Sequence, residues 1–399
     1  RNLVDKVKQE LVRLYYDNGR YSSSVEVTEN ELGNNIIELS LDINEGDAST
    51  IKEIKILGNK TYSTRLLKSL IKSGPKYWFE LWSDKDIYNS TLLDQDIEAI
   101  RDYYLNRGYA KFEVVSKQVN LSPDKEDIYI TLSFNEGNLY KFGKTTVYGL
   151  DNFDSNIIKN IINYNLEPGS FFSRSNIETT KEAIQFVLGE KGYAFPTVQF
   201  NVDLKDDSES VDITIRVDPK KKSFVRRINI KGNTKTNDEV YRRELRQFES
   251  SIYSINKIER SKIRLQRLKF INNVDVKKTI VDEENGFIDI DFLLDETQSG
   301  EFKVGAGYSD SSGAIFNIRV QQDNFLGKGN NVSLEIEKSS YKKLLRYRNT
   351  DPYFTEDGIS KSTSLVYSET DVSSTSTASY ISDTIAYGVN YNVPISESR

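Results

Sequence analysis

Glu244 lies among Arg242, Arg243 and Arg246 in the run VYRRELRQ. A carboxylate set among guanidiniums makes charge-assisted hydrogen bonds, either within its own chain or to a partner, and a solvated helix face produces the same pattern. Covalent chemistry has fewer candidates. The 399 residues include no His, no Cys and no Met. This removes the thiol nucleophile, Cys-ligated zinc and the usual general base, so no nucleophile–base constellation can be drawn and no enzyme activity follows. Asp282-Glu283-Glu284 lacks calcium-loop spacing and reads as an exposed turn. No metal or cofactor is implied. Lys220, Lys221 and Lys222 read as a solvated linker, and the aromatic run Tyr77, Trp78, Phe79, Leu81 and Trp82 as loop packing or a partner surface.

Charge narrows the partners. The 54 basic and 60 acidic residues leave a net −6, which argues against a broad nucleic-acid face. No apolar run reaches the length of a membrane helix, which leaves membrane β-strands open. The lack of Cys suits an oxidising compartment. The absence of an initiator Met and of a signal peptide is what a mature or excised chain would show.

These residues sit in a repeat. Gly58-Asn59, Gly149-Leu150 and Gly232-Asn233 each end an alternating strand and precede a short helix, and the glycines are 91 and 83 residues apart. Leu66, Leu67, Leu70 and Ile71 mark the first of these helices, Ile157, Ile158, Ile161 and Ile162 the second. A longer helix follows, then Gly-Tyr at 108–109 and 192–193, then two alternating strands. Gly19-Arg20-Tyr21 repeats that second half near the start of the chain. In the last copy Lys269 takes the glycine position, which makes a left-handed helix cap less secure there. Each unit thus reads strand, helix, helix, strand, strand. Two apolar helix faces need a sheet to cover them, which predicts small two-layer α+β modules in tandem.

The last 102 residues differ. Charged residues fall to 22 and Ser plus Thr number 25, and the helical period disappears. Ala314, Phe316, Ile318 and Val320 alternate with polar residues, as do Val332, Leu334 and Ile336, and Ile385, Tyr387, Val389, Tyr391 and Val393. About six period-2 strands fit. A membrane barrel and a soluble sandwich both produce this alternation.

The stretch FKVGAGYSDSSGAIFNIRVQQDNFLGKG…DPYFTEDG, from Phe302 to Gly358, resembles the opening of the barrel in the BamA family, the central subunit of the outer-membrane β-barrel assembly machinery. RDYYLNRG, LSPDK and VYRRELRQ resemble the family's periplasmic POTRA modules. The resemblance spans essentially the whole chain. It implies α+β tandem repeats of order β-α-α-β-β followed by the N-terminal strands of an antiparallel transmembrane β-barrel. The implied bounds are the end of a second POTRA domain at 1–46, the third at 47–137, the fourth at 138–219, the fifth at 220–297, and a truncated barrel at 298–399.

The resemblance also implies a non-enzymatic insertase. A sixteen-stranded barrel opens at its seam, and its first strand templates unfolded outer-membrane proteins by edge pairing. That strand would be Phe302, Lys303, Val304, Gly305, Ala306, Gly307 and Tyr308, where Gly305 and Gly307 fit a weakly held edge. A BamD-like lipoprotein would engage Glu244 with Arg243 and Arg246. The third module would accept a strand along Lys111, Phe112, Glu113, Val114 and Val115, in an edge running to Val119. A BamB-like lipoprotein would bind the second and third modules. The remaining expected partner is outer-membrane lipid. A TamA-like assembly subunit, a two-partner secretion transporter and a soluble adhesin use similar modules and stand as alternatives.

Overall fold

The computed structural model describes residues 2–33, 36–76, 80, 83–150, 156–310, 312–371 and 380–395. The aromatic run at 77–82 lies outside the described residues. The chain forms two compact units, one of residues 1–184 with 198–218, the other of residues 185–197 with 219–399.

The chain opens with α1 (Asn2–Asp17) and a hairpin of β1 (Ser24–Gly33) and β2 (Ile36–Asn44). Three complete modules follow. The first has β3 (Thr50–Leu57), α2 (Thr64–Leu70), α3 (Ser90–Leu105), β4 (Glu113–Leu121) and β5 (Asp127–Asn135). The second has β6 (Lys141–Tyr148), α4 (Asn156–Asn165), α5 (Arg174–Glu190), β7 (Thr197–Lys205) and β8 (Ser210–Asp218). The third has β9 (Phe224–Lys231), α6 (Asp238–Arg242), α7 (Ile255–Gln266), β10 (Ile271–Asp282) and β11 (Phe287–Glu296). Each module has a three-stranded sheet with its last strand in the centre, the first strand on one side and the second on the other. In the first and third modules the first strand runs parallel to the central one and the second runs antiparallel.

Local sequence explains these elements. α3 starts where the Asn89 side chain accepts from Leu92 N at 2.8 Å, satisfying a free helix donor. Leu93, Ile97, Ile100 and Tyr104 then bury one stripe against Ile128, Ile130, Leu132 and Phe134 of β5. Each such buried side chain stabilises by about 1.5–3 kcal/mol. The third module repeats the arrangement with Ile258 and Leu265 of α7 and Ile288, Ile290 and Phe292 of β11.

The repeated glycines have a steric cause. Gly58, Gly149 and Gly232 have φ of 88°, 90° and 90°, and a Cβ on any of them would collide with the carbonyl oxygen of Phe134, Val217 or Leu294 on the central strand. Only glycine allows the chain to turn off the first strand this close to the sheet. Gly19, Gly108 and Gly192 serve the joints between modules. Their carbonyls accept from Ser49 N, Tyr140 N and Ser223 N at 2.8, 2.7 and 2.8 Å, each the residue just before the next first strand. Lys269 needs no left-handed conformation, because α7 ends in a right-handed cap at Arg267 and no further module follows.

After the modules comes one six-stranded antiparallel meander: β12 (Gly300–Ser309), β13 (Gly313–Phe325), β14 (Asn330–Lys338), β15 (Lys342–Asp351), β16 (Ser360–Asp371) and β17 (Ile381–Asn392). Its register lines up Val304, Ile318 and Ile336, then Leu345, Tyr367 and Ile385, on one face. That face is uncovered: Val304 is 66% exposed, Ile336 45% and Ile385 77%. The sheet is not closed, and no second sheet packs on it among the described residues. A sandwich would bury this face against a second sheet, whereas a membrane barrel would turn it to lipid.

Gly232→Ala should destabilise the third module by about 2–4 kcal/mol, since both the backbone conformation and the Leu294 carbonyl oppose a Cβ. Gly74→Ala, with open space around its Cα, should stay within about 0.5 kcal/mol. Urea unfolding of residues 47–297 compares the two, and equal midpoints would refute the steric account.

Candidate functional site

Two regions bring functional candidates together: the junction between the third module and the meander, and the free edge of β12. The junction is organised by Glu296, the last residue of β11. Its carboxylate accepts from Thr234 N at 3.0 Å, Thr234 Oγ1 at 3.0 Å, Lys235 N at 2.8 Å, Thr236 N at 3.2 Å and Tyr241 Oη at 2.6 Å. Burial alone would raise its pKa. The hydrogen bonds outweigh burial and bring it down to about 2. The loop fixed in this way meets the β13–β14 turn. Asn237 N donates to Gly327 O at 2.9 Å, and Asn324 Nδ2 donates to Thr236 Oγ1 at 2.6 Å. A Cβ on Gly327 would collide with Lys235 O. Nearby, Lys269 Nζ approaches Asp323 at 3.7 Å.

Glu244 lies on the same side of the third module and is buried, at 6% exposure. Its Oε2 pairs with Arg264 Nη2 at 2.7 Å, and that nitrogen also donates to Tyr353 Oη at 2.7 Å. Arg243 lies over the Tyr353 ring, its Cζ 4.4 Å from the centroid. Arg246 is half-buried, with its backbone N–H on Ser261 Oγ at 2.8 Å and its guanidinium on the carbonyls of Arg243 and Leu245. The structure therefore brings Arg243, Glu244 and Arg246 together, but turns the Glu244 carboxylate inward onto Arg264 and a turn of the meander. Arg243, Arg246, Arg264 and Arg267 line a cavity of about 710 Å³ with Phe248 and Tyr353.

β12 pairs with β13 along its whole length, from Gly300 opposite Gln322 to Ser309 opposite Gly313. Its other edge has no partner among the described residues. Phe302, Val304, Ala306 and Tyr308 share the apolar face with Ile318 and Phe316, while Lys303, Gly305 and Gly307 share the polar one. Gly307 has nothing within 4 Å of a notional Cβ, so neither packing nor strain demands glycine there.

The edge of the first module departs from the sequence reading. Lys111 and Phe112 precede the strand, which begins at Glu113. The alternation of KFEVV suggests a strand throughout, but Phe112 turns inward and stacks on Tyr104 at 4.3 Å. Lys111 pairs with Asp206 at 2.6 Å, and Tyr140 Oη donates to the same carboxylate at 2.7 Å. Val115 falls in a register shift between Val114 and Ser116 and is 62% exposed. A bulge at this point interrupts the edge, a common protection for unpaired strands.

Sequence reasoning missed Glu296, its counterpart Glu136, Arg264 and Tyr353. Glu136 accepts from Lys60 N, Thr61 N and Tyr104 Oη as Glu296 does from its own loop. The available signal was positional, since both follow the carbonyl that excludes a Cβ by two residues.

Comparison with known proteins agrees with this geometry. The POTRA family model, surface antigen variable number repeat, matches residues 49–137, 140–220 and 223–297. The Omp85 superfamily domain matches 324–399. The chain is 32% identical over 341 residues to outer membrane protein assembly factor BamA of Buchnera aphidicola, covering 85% of this chain and 55% of that protein. It is 29% identical over 391 residues to the Neisseria meningitidis protein of the same name, covering 96% and 48%. The chain thus spans about half the length of these relatives. The crystal structure of Haemophilus ducreyi BamA lacking POTRA domains 1–3 matches with a TM-score of 0.59 and 28% identity, over 65% of this chain and 48% of that one. That of Haemophilus influenzae BamA POTRA3–5 matches with a TM-score of 0.55 and 29% identity, over 62% and 96%.

Because the Glu296 pKa lies below its ordinary 4.5, its contribution to stability is complete above about pH 4.5 and is lost as pH falls through about 2. Glu296→Gln should remove that component and lower stability at pH 7 by about 1–3 kcal/mol. Thermal unfolding of wild type and variant between pH 2 and 7 reads this out. A difference that does not shrink in acid would refute it.

Proposed function

This chain belongs to the BamA family of POTRA- and Omp85-domain proteins, and from that we propose that it assembles and inserts β-barrel proteins into the bacterial outer membrane. The observation that carries the proposal is the joint match of three modules to POTRA and of the sheet to the Omp85 domain, shared with relatives that are outer membrane protein assembly factors. In an antiparallel strand alternate residues direct N–H and C=O to the open side. Each such group left unpaired in lipid costs several kcal/mol, and an incoming strand satisfies them by edge pairing. The step needs no nucleophile, metal or cofactor. The six strands stand in the outer membrane and the modules hang in the periplasm.

In this reading the modules are the end of a second POTRA domain and the third, fourth and fifth, at 1–46, 47–137, 138–219 and 220–297, with the barrel from 298. The likeness to a POTRA3–5 crystal structure supports that numbering. A BamD-like lipoprotein docks on the fifth module around Arg243 and Arg246. Glu244 works from beneath by holding Arg264 and keeping the docking surface in shape, as its burial supports. A BamB-like lipoprotein engages the second and third modules, where the strand edge available for pairing runs from Ser116 to Leu121, past the bulge.

Full-length protein reconstituted in liposomes should speed the folding of a urea-denatured outer-membrane barrel protein well above the rate in empty liposomes. Equal rates would sink the proposal. Glu244→Lys replaces a buried ion pair by a like-charge contact with Arg264. It should weaken a purified BamD-like partner by tenfold or more, while unchanged affinity would remove Arg243, Glu244 and Arg246 from the interface.

A further inference from the structure

β12 carries a short charge pattern on its polar face. Glu301 and Lys303 are two residues apart and so stand on one side of the sheet, and Gly305 and Gly307 then add no side chain. Lys303 Nζ lies 2.7 Å from Glu301 Oε1, with the two side chains 63% and 46% exposed. Directly opposite Lys303 on β13 is Arg319. Like charges facing each other across an antiparallel pair repel. Arg319 gains little relief from Glu335, its neighbour on β14, because that carboxylate already accepts from Arg346 at 3.2 Å and Asn317 at 3.3 Å. The Arg319 Nε is buried with no hydrogen-bond partner. With Glu301 counted beside its partner Lys303, the row Lys303, Arg319, Glu335, Arg346 has three cations to two anions, and the cation left in surplus is Arg319, next to Lys303.

We infer that Lys303, backed by Arg319, selects the register of the incoming strand by favouring a substrate that places Asp or Glu directly opposite Lys303 on the polar face. This rests on β12 being the templating edge. Backbone pairing alone cannot choose among registers that differ by two residues, since all of them keep apolar side chains on the lipid face. Charge can choose. A slip of two residues one way sets the acidic group opposite Glu301, where it is repelled. A slip the other way sets it opposite Gly305, where it finds no partner. In the selected register it shares Lys303 with Glu301 and offsets the surplus charge of Arg319.

The test uses the full-length protein in liposomes with Gly305→Cys on β12. The probes are three versions of one barrel substrate, with Glu, Gln or Lys at the facing position of its terminal strand and a cysteine two residues away. Disulfide yield during assembly should favour Glu over Lys by about three- to tenfold, with Gln between them. Lys303→Glu should invert the order. Lys303→Gln should abolish it without inversion, and Arg319→Gln should roughly halve it, so a misfolded Lys303→Glu protein would not end the test. Equal yields for the three substrates, with assembly intact, overturn register selection and leave the templating role standing. Absence of both crosslinking and assembly for every substrate overturns the templating role itself.

Discussion

Glu296 is where the third module joins the six-stranded sheet. One carboxylate gathers three backbone N–H groups, a threonine hydroxyl and a tyrosine hydroxyl. All but the tyrosine belong to the loop that leaves Gly232, and Thr236 and Tyr241 are buried, where a donor without an acceptor is costly. Once held, the loop presents Asn237 N and Thr236 Oγ1 to the turn around Gly327. β12 begins four residues after Glu296, so the free edge inherits its position from the same residue. The first module uses the same device at Glu136, with Tyr104 in place of Tyr241. At the equivalent place the second module has Pro219, which carries no acceptor side chain. The carboxylate therefore appears in two modules of three, and only in the third does it also serve a neighbouring sheet.

The two longest motifs that resemble the family now have a physical reason. DNFLGKG and DPYFTEDG are the two turns of the meander that meet the third module. In the first, Asn324, Leu326, Gly327 and Gly329 all have positive φ, a cost that a bulky Leu326 bears only where packing dictates the path. In the second, Tyr353 offers its hydroxyl to Arg264 and its ring to Arg243. An interface that depends on backbone shape at one turn and on one aromatic at the other leaves few substitutions open. A strand that only has to face lipid tolerates any apolar residue at its outward positions.

Much of the fold could be read from spacing alone. The stripe of α3, the alternation of β5 and the turn glycines act within ten residues or so, and local periodicity carries them. The mechanism of the glycines could not be read, because the obstructing carbonyls of Phe134, Val217 and Leu294 lie more than sixty residues further along. The donors of Glu296 lie up to 62 residues away, and Tyr353 lies 89 residues from Arg264. KFEVV misled for a related reason. Its alternation suits a strand, yet Phe112 gains more from stacking on Tyr104 than from a place on the edge. The inward turn of Glu244 was equally hidden, since a carboxylate among arginines looks the same whether it faces solvent or core.

Alternation left sandwich and barrel equally open, and the match of 324–399 to the Omp85 domain separates them. A soluble sheet of this size must cover one face, because leaving several large apolar side chains in water forfeits about 1.5–3 kcal/mol for each. Here Phe302, Val304, Tyr308, Ile385 and Tyr387 are all more than 65% exposed on one side, and the opposite side carries Lys303, Arg319, Glu335 and Arg346. Together with the match of 324–399 to the Omp85 domain, that distribution is the one expected of strands with hydrocarbon on one side and water on the other. A strand added to either edge of the sheet would have to repeat the same alternation, apolar on the face of Val304 and polar on that of Lys303, because a slip of one residue exchanges the two faces.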